Sequence, residues 1–443
     1  MATLSFAVLS QVAQPSAPAA APGAALAPLA DHHTHLLSPT AAKLVNDPPL
    51  PETALPGDLA RLLRAREKGW NDKAALAGLY TEDSLVLDSR EPLWIRGRDE
   101  VTDFMATLFA RPYRVTPIAY GVEGSAGHIA AYLTRGEGAA ARHFGHVLFS
   151  LQKGADGAWR IAAETPTFPG PAVREPTTAE QLVAQLDEAG IQRGAVLSSA
   201  YWHGSPFMRK AEGDEYANVR AENDWTVREV ARVPNRLVAF CSFNPLKDYA
   251  LQEIDRCAKL PHVKGLKLHF GNSRVDVRNP EHAEKARRVF AAANERRLAI
   301  VAHLWLGDSF GREDAYGRED AEVFLRQILP AAPDIPVQIA HFAGGGPGYT
   351  DEALGVYAEA IAAGDPRTKN LYFDFATVAD GQSDEVLRTF AKRIRQIGLH
   401  RVLYGTDLAP PTARQSWMTF RTTVPLTDDE IRTIAGNVAP YFR

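Results

Sequence analysis

Four apolar, strand-like segments of this sequence end in histidine or aspartate, the side chains that commonly bind divalent metal ions. The first segment reads DHHTH and places His33 and His35 two residues apart, so on a strand both imidazoles point to the same face. His303 ends AIVAHL, His341 ends QIAHF and Asp407 ends LYGTD. Any one of them alone would be an ordinary packing or capping residue. Histidines with one carboxylate fill the ligand set of a mononuclear catalytic site that keeps a position open for water.

These residues need elements that bring strand ends together. Apolar segments alternate with amphipathic helical segments from about residue 177 onward, which implies parallel strands joined by crossover helices. An eighth strand around Leu26–His35 completes a barrel of roughly 250 residues, whose active site lies at the C-terminal ends of the strands. An open two-layer sheet is the competing arrangement. The other seven strand candidates are Gly194–Ala200, Leu237–Phe243, Val263–Phe270, Leu298–Leu304, Pro336–Phe342, Leu371–Ala376 and Val402–Asp407.

Residues 57–172 do not follow this alternation. Two helical patterns, Leu59–Gly69 and Lys73–Leu79, lead into a strand, a third helix and four hairpin-like strands. Pro-rich segments flank the region, as is typical of linkers at an insertion point. The predicted fold is therefore an α/β TIM barrel, (β/α)8, with an α+β domain inserted after its first strand. The predicted parts are an Ala/Pro-rich tail or signal remnant at 1–25, a barrel of 26–56 and 173–443, and the insertion at 57–172.

Composition excludes several classes of protein. Lys and Arg number 49 against 53 Asp and Glu, and no basic run of five or more occurs, so we expect no nucleic-acid surface. No stretch of about 18 apolar residues is present to span a membrane. Cys241 and Cys257 are too few for a disulfide framework. The uncharged start resembles an export signal without its basic region, so an exported or periplasmic location is slightly favoured over a cytoplasmic one.

The motifs DHHTHL, GLKLH, VAHLW, IAHFAGGG and LYGTDLAPP, with the closing LTDDEIRTIAGNVAPYF, resemble the amidohydrolase superfamily. The resemblance is to its amidohydrolase-2 group of metal-dependent hydrolases and decarboxylases, which includes aminocarboxymuconate semialdehyde decarboxylase. It covers residues from about 26 to 45 and from 176 to 443. It implies that His33, His35, His303 and Asp407 bind one Zn²⁺, or another divalent ion such as Mn²⁺, per chain. It also implies that Asp407 carries the proton from water to the leaving group and that His341 is the catalytic histidine.

Lys267 and His269 lie two apart on the fourth strand and so share a face. In the binuclear relatives, a carboxylated lysine of this strand bridges two metals. GLKLH also matches mononuclear members, so one metal is favoured. Lys267 would then pair with a carboxylate of the substrate or of the surrounding protein, or would be a buried lysine neutralised by a nearby acid.

The loops after the strands carry the candidate substrate-binding residues. Arginine suits a bidentate grip on a substrate carboxylate, although the near-repeat GREDAYGRED, which contains two of the candidates, is more typical of the solvated start of a helix. The candidates are Tyr201, Trp202 and His203 after the second strand, Trp305 after the fifth, and Arg312 and Arg318 in the near-repeat.

The insertion resembles the NTF2-like, SnoaL-type fold through ALAGLYTEDSLVL, a GRDEV step and the final AWRIAAETPTF. That fold encloses a conical pocket and often dimerises through its sheet, so a homodimer is the expected assembly. No acid–base pair stands out among its polar candidates, and we expect it to shape the active-site entrance or the oligomer. These candidates are Tyr80, Asp83, His128, His143 and His146.

Three functions are compatible with these residues. The first is hydrolysis of a small-molecule amide, ester or lactone by metal-activated water. The second is metal-dependent, non-oxidative decarboxylation of a small unsaturated or aromatic acid, which would need an arginine in the pocket to hold the carboxylate. The third is a non-enzymatic barrel that binds a small molecule, and the full ligand set speaks against it. Hydrolysis is the predicted function. The fold cannot choose among the three, because barrels of this kind host many reactions.

Overall fold

A computed structural model describes residues 26–46, 50–88, 93–109, 111–135, 142–167, 175–305, 316–407 and 412–442. The chain divides into two compact units. Among the described residues, one unit contains 26–45 and those from Glu175 onward, and the other contains those from Asn46 to Thr167. The predicted signal-like start and Arg312 lie outside the described residues. None of the helices in the described ranges is long and apolar enough to cross a membrane.

The elements are numbered in chain order. The strands are β1 (Ala30–Thr34), β2 (Tyr80–Asp88), β3 (Leu93–Arg96), β4 (Arg114–Glu123), β5 (Ala126–Arg135), β6 (Arg142–Lys153), β7 (Trp159–Thr167), β8 (Arg193–Leu197), β9 (Leu237–Ser242), β10 (Val263–His269), β11 (Ala299–His303), β12 (Val337–Ile339), β13 (Leu371–Asp374) and β14 (Val402–Leu403). The helices are α1 (Pro39–Val45), α2 (Gly57–Lys68), α3 (Lys73–Ala77), α4 (Arg98–Leu108), α5 (Ala179–Ala189), α6 (Glu215–Arg232), α7 (Ala250–Cys257), α8 (Phe270–Ser273), α9 (Pro280–Glu295), α10 (Arg318–Val323), α11 (His341–Gly345), α12 (Asp351–Ala362), α13 (Asp384–Ile397), α14 (Ala413–Thr423) and α15 (Asp428–Ala435).

The first unit is a closed barrel of eight parallel strands. Their order is β1-β8-β9-β10-β11-β12-β13-β14. The two ends of this sheet meet, because the backbone N–H of His32 donates to the Tyr404 carbonyl at 2.8 Å and that of Asp407 donates to the His33 carbonyl at 2.7 Å. Thr34 and Asp407 form a parallel bridge at the same place. The predicted TIM barrel is therefore confirmed, and the open sheet is excluded.

The helices cover the barrel with apolar stripes, and α13 illustrates how the sequence specifies them. Ser383 accepts a hydrogen bond from the backbone N–H of Val386 and so caps the start of the helix. Its buried side chains recur at the three- and four-residue spacing of a helix face and include Phe390 and Ile394. On the sheet side, all five residues of β11 are buried, as expected for a strand that is covered on both faces.

The second unit is an α+β domain inserted after β1. Its sheet has the order β3-β2-β7-β6-β5-β4. β2 and β7 are parallel, and the other neighbours are antiparallel. Side chains of α2 and α4 share one apolar core with the sheet, including Leu62, Met105 and Phe149. This arrangement confirms the NTF2-like fold.

The polar candidates of the inserted domain do not form one cluster. The hydroxyl of Tyr80 contacts Glu164, which also forms a buried ion pair with Arg66 at 3.0 Å. His143 pairs with the hydroxyl of Thr134 at 2.8 Å. Asp83 and His128 lie on the exposed surface, and His146 lies beside the ring of Tyr132.

Cys241 and Cys257 are joined by a disulfide that links β9 to α7. Two cysteines are too few for a disulfide framework, and the sequence alone did not predict this bond. Both cysteines are buried. Glu253, also on α7, is buried as well, and its carboxylate accepts a hydrogen bond from the side-chain amide of Asn223. A single covalent link therefore connects the third barrel strand with the helix that follows it.

Glu222 is a buried acid of α6 that is expected to make the stability of the fold depend on pH. Its Oε2 accepts a hydrogen bond from Ser38 at 2.5 Å, whereas Oε1 has no partner among the described residues. Burial raises the pKa of Glu222 to about 7, and the bond from Ser38 offsets only part of this rise. The folded chain therefore holds a proton at Glu222 in a range of pH where the unfolded chain has released it.

We predict that Glu222 lowers the stability of the wild type as the pH rises from about 4.5 to about 7, because the unfolded state binds fewer protons in that window. Glu222→Gln keeps an acceptor for Ser38 and removes the titration. Its urea midpoint, followed by tryptophan fluorescence, should therefore fall less between pH 5 and pH 8 than that of the wild type. Glu188→Gln, at an exposed position of α5, is the control and should follow the wild type. Parallel profiles for all three proteins would contradict the assignment.

Candidate metal centre

Three of the predicted ligands meet at the C-terminal end of the barrel. His33 lies in β1, His35 follows it, and Asp407 follows β14. The Asp407 Oδ1 atom lies 3.4 Å from Nε2 of His35 and 3.7 Å from Nε2 of His33. One ligand atom from each residue lies within 4.8 Å of the other two. Two imidazoles and a carboxylate at this spacing fit a divalent cation.

The protonation of these groups suits metal binding. His33 Nδ1 lies 3.0 Å from Asp374 Oδ2, so its proton is on Nδ1 and the lone pair of Nε2 faces Asp407. Burial lowers the pKa of His35 to about 3, which keeps its imidazole neutral. Burial acts to raise the pKa of Asp407, but the histidines and Lys267 around it outweigh that effect and hold this pKa well below its usual range.

His303 and His341 stand beside this triad. The His303 ring lies 4.4 Å from the His341 ring, measured between centroids, and stacks on His269 at 4.0 Å. Its Nε2 is buried and has no hydrogen-bond partner in the described part of the chain. A buried imidazole nitrogen without a partner is costly unless something occupies it. His303 is therefore available as the fourth predicted ligand.

His341 presents a bare nitrogen to Asp407. Its Nδ1 donates to the Ala376 carbonyl at 2.7 Å, so Nε2 carries the lone pair, and it lies 3.6 Å from Asp407 Oδ2. His341 and Asp407 have φ values of 52° and 67°, a left-handed conformation that few non-glycine residues adopt. Such backbone strain persists where surrounding contacts hold it, often at functional sites.

Asp374 is a residue of this site that the sequence analysis did not single out. It ends β13, and its carboxylate accepts from four groups: His33 Nδ1, Gln338 Nε2 at 2.6 Å, and the backbone N–H groups of His341 and Ala376. These bonds, with the charges of the two histidines, outweigh burial and hold the pKa of Asp374 well below its usual range. The signal was present in the sequence, since LYFD ends in a carboxylate as the neighbouring strands end in histidine.

Lys267, His269 and Tyr201 also reach the centre. Lys267 Nζ lies 3.0 Å from His33 Nε2, and burial lowers the pKa of Lys267 to about 8. His269 Nδ1 accepts from the backbone N–H of Asn272 at 3.1 Å, and its ring lies 4.9 Å from that of Tyr201. Lys267 and His269, which were predicted to share one face of the strand, therefore both lie beside predicted metal ligands.

The other substrate-binding candidates have different surroundings. Trp202 packs in a small apolar cluster with Leu37 and Leu44. Both ring nitrogens of His203 are buried without a partner among the described residues. Trp305 packs against Gly344 and Gly345, in the turn that follows His341, where an added Cβ would lie 2.8 to 2.9 Å from it.

Arg318 is not brought to the metal centre. Its guanidinium is half exposed and pairs with Glu359 on α12 at 3.3 Å. It therefore begins α10 as an exposed ion-paired residue, which is the solvated helix start that the sequence also allowed.

The described structure is a closed barrel with a candidate histidine–aspartate metal site at the C-terminal ends of its strands. The sequence model of the amidohydrolase family matches residues 203–437, which is more than half of the chain. The chain therefore belongs to the amidohydrolase family. The match includes Lys267, His303, His341 and Asp407, whereas the HxH pair lies before it. No curated protein matches the chain in sequence.

Several solved structures are similar to each part of the chain. A 5-carboxyvanillate decarboxylase from Sphingomonas paucimobilis is 20% identical, with a TM-score of 0.41 over 57% of this chain and 79% of that one. The enzyme of that name from Novosphingobium aromaticivorans, with bound manganese, is 15% identical, with a TM-score of 0.42 over 59% and 79%. A ketosteroid isomerase-like protein from Erwinia carotovora atroseptica is 16% identical, with a TM-score of 0.22 over 26% and 95%.

We predict that Asp374→Asn weakens Zn²⁺ binding by about 10- to 100-fold, the usual effect of removing a partner that orients a ligating histidine. The amide keeps the size of the side chain but cannot accept all four hydrogen bonds. The dissociation constant would be measured by competition with a chromophoric chelator. Asp380→Asn, in the loop after the same strand, is the matched control and should bind as the wild type does. Unchanged affinity in Asp374→Asn, with unchanged circular dichroism, would contradict this role.

Proposed function

We propose that the protein is a metal-dependent hydrolase of a small-molecule amide, ester or lactone. The observation that carries the proposal is the position of Asp407 between two sets of groups. Its Oδ1 faces the Nε2 atoms of His33 and His35, and its Oδ2 faces the bare Nε2 of His341. A divalent cation, Zn²⁺ or Mn²⁺, held by the ligand set with His303 would supply a Lewis acid and bring the pKa of a coordinated water towards about 7.

The side chains then have distinct tasks. Asp407 remains ionised, so its carboxylate accepts a proton from the attacking water and returns it to the leaving nitrogen or oxygen. The Nδ1–H group of His341 donates to the Ala376 carbonyl. Its Nε2 is therefore free to accept a hydrogen bond from the same water and to orient that water.

Decarboxylation of a small unsaturated or aromatic acid is the second candidate, and one observation favours it. The cation beside the metal ligands is Lys267, which is 1% exposed, whereas Arg318 is paired on the surface. A buried ammonium group is suited to hold a substrate carboxylate at the centre. The same residues would then hold the acid while His341 or Asp407 delivers a proton to the ring carbon.

The test is turnover of two panels by the metal-reconstituted protein: 4-nitrophenyl esters, anilides and aromatic lactones for hydrolysis, and hydroxybenzoic acids for release of CO₂. We predict hydrolysis of at least one compound, loss of this activity with a chelator, and recovery with Zn²⁺ or Mn²⁺. His341→Asn should lower kcat by about 100-fold or more, the usual effect of losing a proton-transfer group. His400→Asn, at an exposed histidine, should leave kcat unchanged.

Two results would contradict the hydrolase assignment. Release of CO₂ without hydrolysis in the same preparations would replace it with the decarboxylase. Hydrolysis that persists at full rate in His341→Asn or after removal of the metal would place the reaction elsewhere on the protein.

A further inference from the structure

Lys267 is a buried cation that forms no ion pair with an acid among the described residues. Its side chain is enclosed at the mouth of the barrel on β10. The hydrogen bond of its Nζ within the described part of the chain is to the neutral nitrogen Nε2 of His33, at 3.0 Å. Burying an ammonium group is unfavourable unless an opposite charge and hydrogen bonds compensate it.

The two nearest acids are already committed. Asp374 accepts from His33, Gln338 and two backbone N–H groups. Asp407 faces three histidines, and its role as a metal ligand uses its charge. No ion pair between Lys267 and an acid is formed among the described residues, although the charges of Asp407 and Asp374 act on it from a greater distance.

Metal binding would leave the positive charge of Lys267 with even less compensation. The lone pair of His33 Nε2 is the one that faces Asp407, and a nitrogen lone pair cannot accept from Lys267 and bind a cation at once. With a cation on that nitrogen, Lys267 loses its acceptor, and a second positive charge stands beside it. The enclosed centre then has an excess of positive charge that an anionic ligand would neutralise.

His269 supplies a second hydrogen-bond donor near Lys267, and two aromatic rings lie beside it. His269 accepts at Nδ1 from the backbone N–H of Asn272, so its own proton is on Nε2. His269 lies two residues from Lys267 on the same face of β10, and its ring is flanked by those of His303 and Tyr201 at 4.0 and 4.9 Å. An ammonium group, an imidazole N–H and an aromatic surface together suit the carboxylate of a small aromatic or unsaturated acid.

We propose that Lys267, assisted by His269, binds a carboxylate of the substrate, so that the protein acts on small carboxylate-bearing molecules and discriminates against their neutral analogues. This inference rests on the proposed function, because it assumes that the metal ligands form the active centre. Lys267 is thus a specificity-determining residue in either reaction, holding a carboxylate that is spared in hydrolysis or removed in decarboxylation.

The experiment compares benzoate with benzamide, which match in size and differ in charge. Binding of each to the metal-loaded full-length protein is measured by isothermal titration calorimetry, which does not depend on turnover. We expect benzoate to bind at least about tenfold more tightly, the effect of one charge-assisted hydrogen bond in an enclosed site. Lys267→Met should remove that preference. Lys264→Met, at an exposed position of the same strand, should keep it.

Equal binding of benzoate and benzamide to the wild type would overturn the proposal without using any variant. A benzoate preference that survives in Lys267→Met and Lys267→Gln would show that the metal alone holds the anion, and it would also overturn the proposal. Elemental analysis of the same samples gives the third arm. Two ions per wild-type chain that fall to one in both variants would make Lys267 a bridging ligand. Failure of the hydrolase assignment is seen separately, as absence of turnover in a protein that still prefers benzoate.

Discussion

The hydrogen-bonded closure between β1 and the chain after β14 is the interaction on which the centre depends. The His33 carbonyl accepts the backbone N–H of Asp407 at 2.7 Å and that of Thr406 at 3.0 Å. The buried carboxylate of Asp31 adds a bond from the Thr406 hydroxyl at 2.5 Å. His33 and Asp407, two predicted metal ligands that are far apart in sequence, are thereby held side by side. In sequence, the inserted domain lies between α1 and α5, outside the segments that form this closure.

The centre combines groups that need outside partners with groups that are fully satisfied. Asp374 has four donors and fixes the ring of one ligand and the backbone of His341. His303 Nε2, His341 Nε2 and Lys267 have unmet bonding or charge in the described protein. The satisfied carboxylate gives rigidity, and the unsatisfied groups give affinity for a cation and an anion. This division is what preorganised sites require, because the supporting contacts set the geometry before any ligand arrives.

Much of this centre was predictable from the sequence because strand geometry is regular. The two-residue spacing of His33 and His35 defines one face, and parallel strands of a barrel end at one rim. Asp374 was missed although LYFD ends in a carboxylate, because its role depends on the pairing of β12 with β13, which brings it to the backbone N–H of His341. The ion-pair partner of Arg318 could not be predicted either, because Glu359 lies on α12, far from Arg318 in sequence.

The HxH pair and Asp407 are inferred to hold one divalent ion. The sharpest test is elemental analysis of the purified protein after reconstitution with Zn²⁺ or Mn²⁺, beside a variant in which His33 and His35 are both replaced by alanine. We expect about one ion per wild-type chain and none in the folded double variant. A wild type that takes up no ion, or a double variant that retains the full amount, would contradict it.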